Sequence, residues 1–201
     1  MSKYKSENPT FRKNGQIYRV NSGKNKAIFT HQTGKIIEQI ERALTWYKRV
    51  FAVVFDLRVK VFTLDNLYIK KLLSKLRFYL KKNYKIELFG YSWCREQYKA
   101  SKQHYHMALM LDGAKINYPH KLLNNIQRMW AEITFEGSLY TPKNCYYMIH
   151  RNKKTLNDDT KEQAIYRISY QAKVKSKEKN TARANDYGVS QLKLNSNLND
   201  Y

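Results

Sequence analysis

Two histidines separated by one residue, His104-Tyr105-His106, open a strongly apolar run that continues to Leu111. In an extended strand, side chains two apart share a face, so both imidazoles can converge on one point while Tyr105 turns away. Such a pair offers two ligands to a divalent ion, which needs at least one more from the protein. Glu96 is the best third candidate. If the polar stretch Gln97 to Gln103 is a hairpin loop, Glu96 and His104 flank the turn at pairing distance. A carboxylate beside two imidazoles shifts the choice of ion toward Mg2+ or Mn2+. Taken alone, a histidine pair of this spacing is more often an ordinary core or surface pair. The apolar strand it opens, the carboxylate upstream and the charge of the chain favour the metal.

A second set of reactive groups lies in Ala164-Ile165-Tyr166-Arg167-Ile168-Ser169-Tyr170-Gln171-Ala172-Lys173. On a helix, Tyr166, Tyr170 and Lys173 fall at i, i+4 and i+7 and project from one face. A phenol is a poor nucleophile until a cation or a metal-polarised phosphate assists it, and Lys173 is one turn from Tyr170. The same pattern also suits an amphipathic helix that packs two tyrosines on the core with a lysine extending outward. Spacing alone leaves both readings open.

The elements that must position these groups are legible as periodicities. Ile36, Ile37, Ile40, Ala43, Leu44 and Tyr47 recur at helical spacing within 35–48, and Leu67 to Leu80 repeats the pattern behind Asp65 as a cap. Val50 to Val59 is a buried strand with Asp56 at its polar end. Strands follow at Ile86 to Trp93, running on to Glu96, and at His104 to Leu111. Then come a helix from Pro119 to Thr134, a short strand Cys145 to Ile149, and a helix from Asp159 or Thr160 through Lys173. This order predicts an α+β fold containing the split β-α-β pattern of ferredoxin-like domains, an antiparallel sheet covered by helices on one face. The expected organisation is a basic flexible arm over 1–30, one domain over 31–193 and a disordered tail over 194–201.

Composition narrows the partner. With 38 Lys and Arg against 16 Asp and Glu in 201 residues, the formal net charge of +22 exceeds what solubility needs and points to a polyanion, nucleic acid first. No apolar stretch is long enough to span a membrane, and the N-terminus lacks a secretory signal, which predicts a cytoplasmic protein. Cys94 and Cys145 form no zinc-binding spacing and read as two reduced thiols. Seventeen tyrosines supply rings for stacking on bases as well as candidate nucleophiles.

A histidine-hydrophobic-histidine motif followed by a helical Y-x-x-K resembles the HUH endonucleases, which include rolling-circle replication initiators, relaxases and single-strand transposases. More specifically, Trp93-Cys94-Arg95-Glu96 leading into His104 to Leu109, then Ser169 to Lys173, then Asp186-Tyr187-Gly188-Val189-Ser190-Gln191-Leu192, is similar to the inovirus gene II-type replication proteins, also called YagK/YfjJ C-terminal domain proteins. The likeness runs over roughly 35–193. It implies a ferredoxin-like core with a five-stranded antiparallel sheet and a divalent-ion site on Glu96, His104 and His106. It further implies nicking of single-stranded or origin DNA through a 5′-phosphotyrosine on Tyr170, with Lys173 as the lysine of the motif. Asp56-Leu57-Arg58 matches the first-strand motif, and Tyr166 stands where some members carry a second tyrosine. Host helicase and polymerase would complete replication, since no P-loop is visible. The alternatives are the same chemistry in transposition or conjugation, or a non-catalytic nucleic-acid-binding module of the RNA-recognition type, which the absence of an RNP-type motif counts against.

Overall fold

In a computed structural model describing residues 4–97, 102–152, 158–175 and 185–197, the chain begins with four short strands, β1 (Lys5–Ser6), β2 (Thr10–Lys13), β3 (Gln16–Arg19) and β4 (Ile28–Phe29). It continues through α1 (Thr30–Trp46), β5 (Arg49–Arg58), α2 (Leu67–Tyr84), β6 (Gly90–Glu96), β7 (His104–Asp112) and α3 (His120–Thr134). The remaining elements are β8 (Ser138–Tyr140), β9 (Tyr146–His150), α4 (Thr160–Ser169), a 3-10 turn at Tyr170–Ala172 and β10 (Tyr187–Val189). Six strands form one sheet in the order β10-β6-β7-β5, with β8 and β9 both paired to the far edge of β5. Every pairing in it is antiparallel. The protein is thus a mixed α+β structure, with one strand more than the five expected.

Helices cover the sheet on both faces, where the sequence suggested one. Tyr105 on β7 meets Trp130 of α3 edge to face, and Trp130 meets Tyr68 of α2. Met110, five residues on and therefore on the opposite face, is paired with Gly90, where the Gln39 carbonyl of α1 would lie 3.5 Å from an added Cβ. Hence α2 and α3 pack on one side and α1 on the other, with α4 against α1. This explains the run Val50 to Phe55, which is buried without alternation: a strand sandwiched between two helical layers needs apolar side chains on both faces.

Local chemistry sets the element ends. In α2, Ile69, Leu72, Leu73, Leu76 and Leu80 form the buried stripe. Asp65 accepts a hydrogen bond from the Leu67 amide at 3.0 Å, although Asn66 is the boundary residue. The helix ends where Lys85 turns left-handed and its amide reaches the Leu80 and Lys81 carbonyls. Gly188 of β10 lies under the Trp93 indole, and a Cβ there would come within 2.6 Å of the ring. The Asp186 to Leu192 motif is therefore an edge strand, with Gly188 required for close approach. At three residues it is too short to show alternation.

The largest difference from the sequence reading is at the N-terminus. Residues 4–29 do not form a free arm. Tyr18, Val20 and Ile28 are buried in the main core, and the turn after α4 is fastened to this segment: the Val174 amide donates to the Ala27 carbonyl at 2.9 Å and the Asn21 amide to Ser169 Oγ at 2.9 Å. Basic and polar residues outnumber the apolar ones here, so the few that are buried leave no clear periodicity. For the same reason α4 stops at Ser169 instead of running to Lys173, because the following backbone groups are engaged by Ala27, Ile28 and the Gln32 side chain. At the other end, Asn195 hydrogen-bonds Thr45 through its amide and side chain, so the expected tail is tied down at its start. Residues 198–201 of that tail, 98–101 of the β6–β7 loop and 153–157 of the polar turn before α4 lie outside the described residues.

If the N-terminal segment is part of the core, Ile28→Ala should lower stability by about 2–5 kcal/mol. Urea unfolding reads this directly, and an unchanged midpoint would return the segment to the status of an arm.

Candidate metal centre

The sheet register builds the site. Along one rung Asp56 of β5 lies opposite His106 of β7, which lies opposite Cys94 of β6; on the next rung the sequence is Arg58, His104, Glu96. Directly paired residues share a face, so these six side chains emerge together, on the α1 side. Glu96 and His104 face each other across the hairpin, and the side chain of Glu96 is only 5% exposed.

The donor atoms converge. His106 Nε2 is 3.2 Å and His104 Nε2 3.7 Å from Glu96 Oε2. The two rings stand edge to face at 4.9 Å. One ligand atom from each of Glu96, His104 and His106 lies within 4.8 Å of the others, close enough to hold one ion. A buried carboxylate that meets two imidazole nitrogens fits a metal cation by donor chemistry. Cys94 stands beside this group, its Sγ 3.9 Å from Glu96 Oε1.

Asp56 completes the arrangement. Its Oδ1 accepts a hydrogen bond from His106 Nδ1 at 2.6 Å. With Nδ1 occupied, Nε2 is turned toward Glu96, which is the means by which an outer carboxylate fixes the tautomer of a ligating histidine. Asp56 was visible in the sequence as the polar end of an apolar strand, but its partner was not, because pairing of β5 with β7 is a tertiary fact.

Charge distributes unevenly over the two imidazoles. Burial works to lower the His106 pKa, yet hydrogen bonds and charge from Asp56 and Glu96 overcome it and push the value up to about 9. For His104, burial and then the neighbouring His106 hold the pKa below the usual histidine range. Without a bound ion, His106 is an imidazolium between two carboxylates and His104 is neutral.

The two tyrosines part company. Tyr170, in the 3-10 turn after α4, packs its ring edge to face against His106 at 5.3 Å, and Lys173 Nζ lies 5.1 Å from the Tyr170 ring centroid. Burial raises the Tyr170 pKa, and the negative charge at Glu96 and Asp56 adds to it, while Arg167 acts in the opposite direction. Tyr166 is 38% exposed and its ring faces the Arg19 guanidinium at 5.2 Å. The structure thus brings Glu96, His104, His106, Tyr170 and Lys173 together, and gives Tyr166 a different neighbour. Arg167 went unremarked in the sequence because it lies between two tyrosines in a helix whose exact rotation only packing determines.

A protein-family model, the YagK/YfjJ C-terminal domain, matches residues 10–190. The chain belongs to the YagK/YfjJ C-terminal domain family. The match takes in β2 and β3, consistent with an N-terminal segment that is integral to the domain, and spans the Glu96-His104-His106 group, Tyr170 and β10. Comparisons with curated proteins and with solved structures give no match. Among the described residues, no helix is long and apolar enough to cross a membrane.

Two measurements test this site. Calorimetric titration with Mn2+ should find one site, lost in His104→Ala or His106→Ala and weakened about 10- to 100-fold in Asp56→Asn; full affinity in Asp56→Asn would remove the orienting role. In chelator, the raised His106 pKa stabilises the fold fully below the unfolded value of 6.5, and the contribution disappears as pH climbs through about 9. The loss is roughly 3 kcal/mol at most. Denaturant unfolding from pH 6 to 10 should show this decline, and Asp56→Asn should flatten it.

Proposed function

We propose that this protein is a metal-dependent single-strand DNA endonuclease and strand transferase of the HUH type, with Tyr170 as nucleophile. The observation that carries the reading is Tyr170 packed on His106 of the Glu96-His104-His106 group: a candidate nucleophile and a candidate metal centre in direct contact. The net charge of +22 supplies the attraction for a polyanionic substrate. The sheet order supports the fold side of the reading. Strands β8, β5, β7 and β6 lie side by side in that order with α2 and α3 on one face, as in a ferredoxin-like β-α-β-β-α-β unit, to which α1, α4 and β10 are additions.

Glu96, His104 and His106 would hold the ion, Mg2+ or Mn2+, which when bound would polarise a non-bridging phosphate oxygen and offset the negative charge on the phosphoryl oxygens. The chain's own groups do the rest. Asp56 keeps His106 Nε2 directed at the site. The turn at Tyr170 is anchored by Gln32, whose amide donates to the Gln171 carbonyl at 2.9 Å, so the phenol is positioned by packing before substrate arrives. The Tyr170 oxygen attacks phosphorus, the bond from phosphorus to the 3′ oxygen breaks, and the phenol proton ends on that oxygen. The products are a 5′-phosphotyrosine and a free 3′ hydroxyl. Attack by a 3′ hydroxyl reverses the step without nucleotide hydrolysis. Lys173, at the ring of Tyr170, adds positive charge beside the phenol.

In a replicative role the free 3′ end primes a host polymerase and a host helicase unwinds the duplex; transposition or conjugative transfer would use the same chemistry. The exposed Tyr166, stacked with Arg19, is read as a contributor to DNA contact and not as the first nucleophile.

Incubation with labelled single-stranded DNA from the protein's own replicon and Mn2+ should yield a denaturation-resistant protein–DNA adduct. Tyr170→Phe, which keeps the ring against His106, should abolish the adduct with folding intact, while Tyr166→Phe should retain it. Peptide mapping that located the nucleotide only on Tyr166 would reverse the assignment.

A further inference from the structure

A cavity of about 300 Å3 opens beside Asp56 and His106, walled also by Tyr170, Arg167 and Tyr140; Glu96 and His104 are not part of its lining. It therefore adjoins the candidate metal centre without being it. Arg167 projects from α4 onto this wall, exposed, and forms no ion pair among the described residues. A guanidinium left without a carboxylate beside a cluster that includes Asp56 and Glu96 offers a planar fork suited to phosphate oxygens.

Tyr140 comes from β8, and the register explains why it stands here. It is paired with Asp56, so the rung Cys94, His106, Asp56, Tyr140 crosses four strands with all side chains on one face. Tyr140 is 50% exposed, and the Arg58 guanidinium lies 5.5 Å from its ring centroid. No other aromatic ring or cation contacts it among the described residues. A half-exposed phenol ring backed by guanidinium on the rim of a cavity is a stacking surface for a nucleobase. Two strand spacings separate Tyr140 from His106, roughly 10 Å. That is about three base steps along a stacked strand, so any base received here is among those nearest the reacting phosphate.

We propose that this cavity is a nucleotide subsite for single-stranded DNA, in which Arg167 holds a backbone phosphate and Tyr140, backed by Arg58, stacks the neighbouring base. The subsite rests on the single-strand DNA reading above, but it needs neither the ion nor the nucleophile. Arg167 and Tyr140 are positioning residues: they locate the strand so that the phosphate to be cut falls at His106 and Tyr170.

The test separates the two claims. Fluorescence anisotropy is measured with a labelled oligothymidylate of about 15 nucleotides, in chelator, on the full chain carrying Tyr170→Phe. Adding Tyr140→Ala should weaken binding about 5- to 100-fold, while Tyr140→Phe should stay close to the parent because the ring is kept. Arg167→Ala should lower the log–log salt slope by about one phosphate contact, and Arg167→Lys should restore most of it. The same variants on a duplex of equal length should lose no stacking contribution. A parent protein that did not bind the oligonucleotide would overturn the single-strand reading and the subsite with it. Normal parent binding with an unchanged Tyr140→Ala affinity, or an equal loss on duplex, would overturn the subsite alone.

Discussion

The pairing of β5 with β7 is the constraint on which the rest of the site depends. It places Asp56 opposite His106 at hydrogen-bonding distance, and the same register places Arg58 beside His104 and, through β7, Glu96 on the next strand. A slip of one residue would turn every one of these side chains to the opposite face and leave Tyr105 and Leu57 where the imidazole and carboxylate now stand. The register is held by burial. Phe51, Val53, Phe55 and Leu57 pack on one side of β5 and Val50, Ala52 and Val54 on the other, so neither face tolerates a shift. The polar cluster thus sits at the end of a strand whose apolar portion fixes its position.

Around that rung the site is assembled from distant parts of the chain. The two histidines and Glu96 come from one hairpin, Asp56 from the preceding strand, and Tyr170 from a turn after the last helix. The N-terminal segment anchors that turn: Ala27, Ile28 and Asn21 engage the backbone and Ser169 around Tyr170, and Gln32 at the start of α1 takes the Gln171 carbonyl. A phenol held this way has its neighbouring backbone ordered by folding, as the nucleophile role proposed for it would require.

Two-sided helical cover gives the faces different tasks. On the side of α2 and α3 the sheet is closed by aromatic packing among Tyr68, Tyr105 and Trp130, and the Trp130 indole donates to the Arg58 carbonyl at 2.8 Å. Arg95, beside the candidate ligand Glu96 but pointing to this closed side, is fully buried and donates to the carbonyls of Thr63 and Asp65, tying the loop before α2 to β6. On the other side α1 and α4 leave a gap over the polar end of the sheet, and there His106, Asp56 and Tyr170 reach a cavity.

Much of this was legible from residue types and spacing. The alternation His104-Tyr105-His106 on an apolar strand determines that two imidazoles share a face, and a short polar loop determines that Glu96 joins them, because both are local consequences of strand geometry. The heptad-like stripes of α1, α2 and α3 and the unbroken apolar run of β5 determine the central elements for the same reason. What local periodicity could not carry was decided by tertiary structure: the packing of residues 4–29, the addition of β8 and β10 as strands too short to alternate, and the end of α4 at Ser169 under hydrogen bonds from the N-terminal segment and α1. The separation of Tyr170 from Tyr166 belongs here too. An ideal helix puts the two on one face, but the 3-10 turn rotates Tyr170 onto His106 and leaves Tyr166 against Arg19. Periodicity reports which way a side chain points from its own element; which partner it meets depends on how elements separated by a hundred residues pack together.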